Sequence, residues 1–163
     1  MIDHFQKAHR VLTLCKKHGF TLATVESCTG GLIAAQLCAV AGASHVVECG
    51  FITYSNKAKS RLVGVRPELL TCYGAVSKEV AIAMAEGGLN AGEVDVSLSV
   101  TGVAGPGGAT ESKPLGLVHF ALARHGHTTV HNESHFALQC RNKIQSASIE
   151  QGLSLIIATL EKI

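Results

Sequence analysis

The sequence predicts a single three-layer α/β/α domain with a mixed, mostly parallel sheet. Segments with helical spacing of apolar residues alternate with short β-branched runs along most of the chain, a pattern typical of parallel strands joined by helices. Two later strand-like runs flank Gly126 and predict a hairpin, which adds one antiparallel strand. The 163 residues have the length of one ordinary domain and contain no repeat or linker, so residues 1–163 are expected to form one unit.

The individual elements follow from local patterns. Apolar residues from Phe5 to Cys15 recur at helical spacing and Gly19 can end that helix, which favours a folded helix over a secretion signal. Ser77 is the expected N-cap of a later helix. After the first helix, the expected order is a strand at 21–26, a helix at 31–40, a strand at 45–55, a helix at 56–64, a turn around Pro67, a helix at 77–92, a strand at 94–102, strands at 115–124 and 128–138, and a helix at 141–160.

The composition excludes several classes of protein. Hydrophobic residues make up 47% and charged residues 16%, which excludes a disordered tail and a solvated coiled coil. The net charge of +2 is small and scattered, so no nucleic-acid partner is expected, and no run is long and apolar enough to span a membrane. The six cysteines form no CxxC pair, which predicts free thiols in a reducing cytoplasm. A chain this small and apolar is also expected to form a homo-oligomer.

Three loops that follow predicted strands are candidates for a ligand site: ESCTGG (26–31), TYSNKAK (53–59) and TGVAGPGG (101–108). Ligands of open α/β sheets bind beyond the carboxyl ends of the strands. Glycine lets main-chain N–H groups approach a ligand, and the helix expected after Gly31 offers unpaired donors, which suits a phosphate or a carboxylate. For one loop alone, a tight turn with glycine for geometry is the simpler interpretation, whereas three such loops favour a site. Neither a Walker A nor a GxGxxG pattern is present.

Ser27 is the candidate nucleophile of the first loop, although a helix cap is the alternative interpretation. Cys28 is intrinsically the better nucleophile, but no histidine lies in a motif that would activate it. Lys59 follows the second strand, one helical turn beyond Tyr54, and a partly desolvated lysine can lose its proton near neutrality. Ser-Lys pairs act as nucleophile and base in amide-cleaving enzymes. An exposed helix residue is the alternative for Lys59 and the interpretation adopted for Lys57.

The nine histidines supply no obvious base. His125, His127, His131 and His135 cluster on the expected hairpin, where the alternation of a strand places several on one face. An exposed polar face is favoured over a metal site there.

Four segments resemble the CinA C-terminal domain family in order and spacing: ESCTGG, GFITYSNKAKSRLVGV, GAVSKEVAIAMAEG and SVTGVAGPGGATESKPLGLVHFAL. The resemblance runs from about Thr21 to the final helix. It implies a CinA-like α/β/α domain in the stand-alone form, without the N-terminal domain of full-length CinA. The characterised enzymes of this family are nicotinamide-nucleotide amidases, so the resemblance implies hydrolysis of nicotinamide mononucleotide (NMN) to nicotinate mononucleotide and ammonia, in pyridine nucleotide salvage.

The resemblance also implies roles for residues. Ser27 matches the family nucleophile, and Tyr54 and Lys59 match the tyrosine and final lysine of its YSN-x-AK motif. The resemblance and the chemistry of the glycine loops together predict the substrate-binding residues. These are Thr29, Gly30, Gly31, Thr101, Gly102, Gly105, Gly107, Gly108 and Arg141. The expected catalytic residues are Ser27, Lys59 and Tyr54: neutral Lys59 takes the proton from Ser27 and, with Tyr54, protonates the departing ammonia. Main-chain N–H groups of the segment from Thr29 to Gly31 are expected to stabilise the oxyanion. The expected mechanism needs no metal and no cofactor, and the small nucleotide substrate is the only expected ligand.

The sequence departs from the family pattern near the last helix. Gln145 stands where a second arginine is expected, Cys140 replaces the usual acidic residue before Arg141, and Lys57 stands where glutamate is common. Two alternatives therefore stay open: a non-catalytic nucleotide-binding or regulatory module, in which Gln145 marks lost turnover, and an amidase for another small amide. The intact Ser27, Tyr54 and Lys59 argue against the first.

Overall fold

The structure, a computed structural model, describes residues 4–137 and 140–163. A five-stranded mixed sheet lies between two layers of helices, which confirms the predicted fold class. The helices are α1 (His4–His18), α2 (Leu32–Cys38), α3 (Asn56–Val63), α4 (Pro67–Tyr73), α5 (Lys78–Ala91) and α6 (Arg141–Leu160). The strands are β1 (Leu22–Glu26), β2 (Val47–Ile52), β3 (Val96–Gly102), β4 (Leu117–Arg124) and β5 (Val130–His135).

The sheet has the strand order β2-β1-β3-β4-β5. Strand β1 is parallel to both of its neighbours, whereas β3 with β4 and β4 with β5 are antiparallel. Only β4 therefore runs against the other strands, as the hairpin pattern predicts. Strands β1 to β3 are connected through helices. Strands β1 and β3 contain the buried apolar and polar residues expected of a covered parallel sheet, whereas β2 lies at the edge of the sheet and is only partly buried.

One face of the sheet is covered by α1, α2 and α6. Its core is built from large apolar side chains, for example Leu98 and Phe120 of the sheet with Ile144 and Ile156 of α6. Burial of such side chains is the main favourable contribution to folding. Within the described residues, no helix combines the length and the hydropathy needed to cross a membrane.

The other face is covered by α5, which packs closely on the sheet. Small residues such as Ala81 and Ala85 of α5 meet Ala23 and Ala121 of the sheet. At Gly88, an added Cβ would lie 2.3 Å from Val25 Cγ2 and 2.5 Å from Ser97 Oγ, so only glycine fits. Helices α3 and α4 pack against α5, and α3 also contacts β2, so these helices complete the layer.

Pairing of the parallel strands fixes the location of the candidate site. Glu26 at the end of β1 pairs with Ile52 at the end of β2 and with Val100 near the end of β3. The loops that follow these strands therefore begin at one edge of the sheet, as the sequence predicts.

Some local predictions need correction. Residues around Pro67 form the helix α4 and not merely a turn, since proline at the first helical position carries a fixed φ and lacks only an N–H that would be unpaired there. The second strand is shorter than predicted, and Ala43–His45 forms a 3₁₀ turn before it. The last strand ends at His135, and residue 138 of its predicted range lies outside the described residues.

Candidate active site

A cavity of about 290 Å³ opens at the carboxyl edge of β1, β2 and β3. This volume is near the lower end of the range of ligand sites, about 300 to 1,000 Å³. Of the predicted site residues, those that line the cavity are Ser27, Tyr54, Lys59, Thr101, Gly102, Gly105, Gly107, Gly108 and Arg141. The structure thus brings together side chains from three loops and from the start of α6.

Ser27 and Lys59 are in direct contact at the base of this cavity. Ser27 follows β1, and its main-chain N–H donates to the carbonyl of Val100 at 3.0 Å. Lys59 lies in α3, whose first turn is capped by the hydroxyl of Ser55. The distance between Lys59 Nζ and Ser27 Oγ is 3.1 Å, which is hydrogen-bonding distance.

The Lys59 side chain is almost completely buried, with 1% of its surface exposed. Its Nζ donates to the carbonyl of Thr53 at 2.8 Å, and in the part of the chain that the structure describes no carboxylate forms an ion pair with it. Burial penalises the ammonium and lowers the pKa of Lys59 below its ordinary value. The nearby Cys28 would oppose this shift only as a thiolate, so the neutral amine is more accessible beside Ser27 than it is for an exposed lysine.

The Cys28 thiol does not compete with Ser27 as a nucleophile. The residue is buried, and burial raises the pKa of its thiol to about 12. A thiol with this pKa is protonated at neutral pH and therefore weakly nucleophilic.

Arg141 and Tyr54 also line the cavity and contact each other. Arg141 Nη1 donates to the carbonyl of Gly105 at 2.8 Å, and Nη2 donates to the hydroxyl oxygen of Tyr54 at 3.0 Å. Tyr54 is 61% exposed, and none of its hydrogen bonds among the described residues reaches Ser27 or Lys59. The expected pairing of Tyr54 with Lys59 in proton transfer is therefore not matched by a contact in the structure.

The ESCTGG loop differs from its predicted role. The carboxylate of Glu26, which is 1% exposed, accepts from the hydroxyl of Thr29 at 2.7 Å and from the amides of Gly31, Ile33 and Ala34 at 3.0, 3.1 and 2.8 Å. An anion is thus already present at the start of α2, supplied by the chain itself.

Thr29, Gly30 and Gly31, which are predicted to contact the ligand, do not line the cavity. The Gly30 amide donates to the carbonyl of Ser27 at 3.1 Å, and the Gly31 amide donates to Glu26. The two glycines have φ angles of 59° and 98°, so they are required by the left-handed backbone of the turn.

Several contributing residues were not identified from the sequence. Glu26 stands next to the nucleophile but has no recognisable capping spacing, because it lies before the turn and accepts from residues up to Ala34. Gln145 Nε2 donates to the carbonyl of Cys28 at 2.9 Å, a contact between residues 117 positions apart. Asn56, Ala75 and Val76 also line the cavity. The hydroxyl of Thr101 donates to the carbonyl of Ala75 at 2.8 Å.

The histidines lie away from this cavity. His119 Nδ1 is 3.0 Å from His131 Nε2, and His135 Nε2 is 2.7 Å from a carboxylate oxygen of Glu133. No group of three or more histidine, cysteine, aspartate or glutamate residues within 4–137 and 140–163 is arranged to hold a metal ion.

The sequence model of the CinA C-terminal domain matches residues 4–160. The chain belongs to the CinA C-terminal domain family. A CinA-like protein from Kosmotoga olearia is 49% identical over 120 residues, which are 74% of this chain but 29% of that relative. The chain therefore spans less than a third of the length of this CinA-like protein.

Other members of the family match over nearly their whole length. The nicotinamide-nucleotide amidohydrolase PncC of Escherichia coli is 40% identical over 155 residues, which cover 95% of this chain and 91% of PncC. The crystal structure of the competence/damage inducible protein CihA from Agrobacterium tumefaciens has a TM-score of 0.94 at 42% identity, covering 98% of this chain and 96% of CihA.

We expect Glu26→Gln to lower the free energy of unfolding by about 1 to 3 kcal/mol, because the new NH₂ group faces a main-chain donor and leaves it unpaired. Urea titration measures this change. Glu161→Gln is the matched control, since Glu161 is exposed and its pair with Arg10 contributes little. A loss for Glu26→Gln no larger than that of the control would contradict the capping role.

Proposed function

We propose that the protein hydrolyses the carboxamide of NMN to nicotinate mononucleotide and ammonia through a Ser-Lys amidase mechanism. Membership of the family that includes the amidohydrolase PncC supports an amidohydrolase acting on a pyridine nucleotide. The observation that carries the mechanism is the distance of 3.1 Å between Ser27 Oγ and the buried Lys59 Nζ. A homo-oligomeric state and a cytoplasmic location stay predictions.

Acylation begins with proton transfer from Ser27 to neutral Lys59. The carbonyl of Thr53 accepts one N–H of Lys59 at 2.8 Å, which helps to direct the nitrogen lone pair at the Ser27 hydroxyl. Ser27 Oγ then attacks the carboxamide carbon, and the protonated lysine returns the proton to the amide nitrogen as ammonia leaves. An ester between Ser27 and the nicotinoyl group results.

Deacylation uses the same pair. Lys59, neutral again, takes a proton from water, which attacks the ester carbon and releases the carboxylate. The proton returns from Lys59 to Ser27 Oγ, so the enzyme is regenerated.

We assign oxyanion stabilisation to the amide of Cys28 and no longer to the segment from Thr29 to Gly31. Cys28 lines the cavity directly after the nucleophile, and no carbonyl or side-chain oxygen in the described part of the chain accepts its N–H. A donor of this kind contributes about 3 kcal/mol to transition-state stabilisation.

The phosphate of NMN binds at the Arg141 side of the cavity. The guanidinium has N–H groups beyond the two that hold Gly105 and Tyr54, and it is suited to bidentate contact with phosphate. The loop from Gly105 to Gly108 adds main-chain groups at the same wall. Tyr54 is assigned to this end of the substrate, because its hydroxyl contacts Arg141.

Gln145 no longer supports the non-catalytic alternative. Its side chain does not line the cavity and instead contacts the main chain beside Ser27, an arrangement that is compatible with turnover.

The substrate and nucleophile are tested together. In the presence of EDTA, the wild type should release ammonia from NMN with a kcat/KM at least about 100-fold above that for free nicotinamide, because ribose and phosphate position the carboxamide. Ser27→Ala should reduce turnover by about 1,000-fold or more while NMN still binds, and Cys28→Ser should retain turnover. Full activity of Ser27→Ala would exclude this mechanism, and activity lost to EDTA and restored by a metal would point to the histidines.

The base is tested by Lys59→Met, which keeps an unbranched buried side chain. Turnover should fall by about 100- to 10,000-fold without loss of thermal stability, and the double variant with Ser27→Ala should be little worse than either single variant. In the wild type, kcat/KM should rise with pH through a pKa below the ordinary lysine value, since burial lowers the pKa of Lys59. A rate independent of Lys59, or a profile that falls over this range, would contradict the assignment.

Arg141→Ala tests the phosphate contact. KM for NMN should rise by about 10- to 100-fold, as expected for lost hydrogen bonds to a charged group. Nicotinamide riboside, which lacks the phosphate, should be affected much less than NMN, because for this substrate the variant loses only the Gly105 and Tyr54 contacts of Arg141. Lys143→Ala, at an exposed position of the same helix, is the control. An unchanged KM for NMN would show that the phosphate is held elsewhere.

A further inference from the structure

Gln145 contacts the catalytic turn from outside the cavity. It lies in α6 one turn after Arg141 and is partly buried. Its Nε2 donates to the carbonyl of Cys28 at 2.9 Å, although Gln145 itself does not line the cavity. Any effect of Gln145 on the reaction must therefore pass through the main chain next to Ser27.

The other hydrogen bonds of the turn show what this contact adds. The amide of Ser27 is held by Val100, and the carbonyl of Ser27 accepts from the amide of Gly30 at 3.1 Å. The first bond holds the Glu26–Ser27 peptide, and the second holds the Ser27–Cys28 peptide. Among the described residues, the carbonyl of the next peptide, Cys28–Thr29, has Gln145 as its hydrogen-bond partner and no other.

Because peptide groups are planar, the hydrogen bond from Gln145 to the Cys28 carbonyl also restrains the backbone next to Ser27. Because the peptide is planar and trans, holding the Cys28 carbonyl also directs the Thr29 N–H the opposite way. With the preceding peptide fixed by Gly30, the Gln145 contact fixes the backbone dihedrals of Cys28 between them. Those dihedrals set how the Ser27–Cys28 peptide, which carries the Cys28 amide next to Ser27, is oriented relative to the Thr29 side of the turn that Gln145 holds.

We propose that Gln145 is a positioning residue, which holds the Cys28–Thr29 peptide so that Ser27 and the Cys28 amide keep their reactive arrangement. The proposal rests on the proposed function of Ser27 as nucleophile. Without the donor, the Cys28 carbonyl turns toward another partner and moves the atoms on either side of it. A displacement of about 1 Å at a reacting group can cost about 100-fold in rate.

The test compares two glutamines of the same helix. Gln145→Ala should lower kcat for NMN by about 10- to 100-fold with KM changed by no more than about twofold, because the substrate contacts remain. Gln151→Ala is the matched control: Gln151 Nε2 donates to Asn132 Oδ1 at 3.1 Å, away from the cavity, and its loss should leave both constants near wild type. Thermal unfolding of both variants measures any shared loss of stability.

Gln145→Glu separates hydrogen-bond donation from side-chain packing. An ionised carboxylate has no hydrogen to donate to the Cys28 carbonyl, whereas a protonated carboxyl group has one. The ratio of kcat for Gln145→Glu to kcat for the wild type should therefore rise as the pH falls from about 8 to about 5, toward the ordinary pKa of glutamate. The same ratio for Gln145→Ala should stay constant.

The outcomes distinguish the positioning role from the proposed function. An active wild type with Gln145→Ala within about twofold in kcat, an equal loss in Gln151→Ala, or a ratio for Gln145→Glu that does not change with pH would each overturn the positioning role. A wild type that releases no ammonia from NMN would overturn the proposed substrate. The rate at which a fluorophosphonate modifies Ser27 then decides the role of Gln145, with slower modification of Gln145→Ala than of Gln151→Ala as the expected result.

Discussion

Burial of the Lys59 amine, with no carboxylate partner among the described residues, is the constraint on which the site depends. An ammonium group in this position loses the hydration of water and gains no counter-ion from that part of the chain, so burial lowers the pKa of Lys59 and makes its neutral form more accessible. A salt bridge to Lys59 would stabilise the ammonium and remove its basicity. The surrounding fold instead offers the neutral carbonyl of Thr53 and the hydroxyl of Ser27 as partners.

Glu26 determines which part of the site is available to an anion. Its carboxylate pairs with the main-chain donors at the start of α2, which would otherwise attract a phosphate. The positive charge of Arg141 lies in the cavity wall, next to the loop that follows β3. The nucleophile and the cationic group are thus supplied by different segments of the chain, the turn after β1 and the start of α6.

The first two turns of α6 connect the separate loops. Arg141 holds the carbonyl of Gly105 and the hydroxyl of Tyr54, and Gln145 holds the carbonyl of Cys28. Three segments that are far apart in sequence are thereby fixed to one rigid helix, which packs on the sheet through its buried apolar residues. Precision of the site thus depends on the packing of α6 as well as on the loops themselves.

The sequence by itself determined the fold class, the order of the main elements and the set of Ser27, Lys59 and Arg141, because periodicity, strand exits and motif spacing are local properties. Tertiary structure decided how these parts interact. From the sequence, the glycines of ESCTGG are compatible with ligand contact and with a left-handed turn. The structure shows the left-handed turn, in which the Gly31 amide already donates to the Glu26 carboxylate. The Gln145 contact and the burial of Lys59 likewise arise when distant segments pack together, so no local pattern contains them.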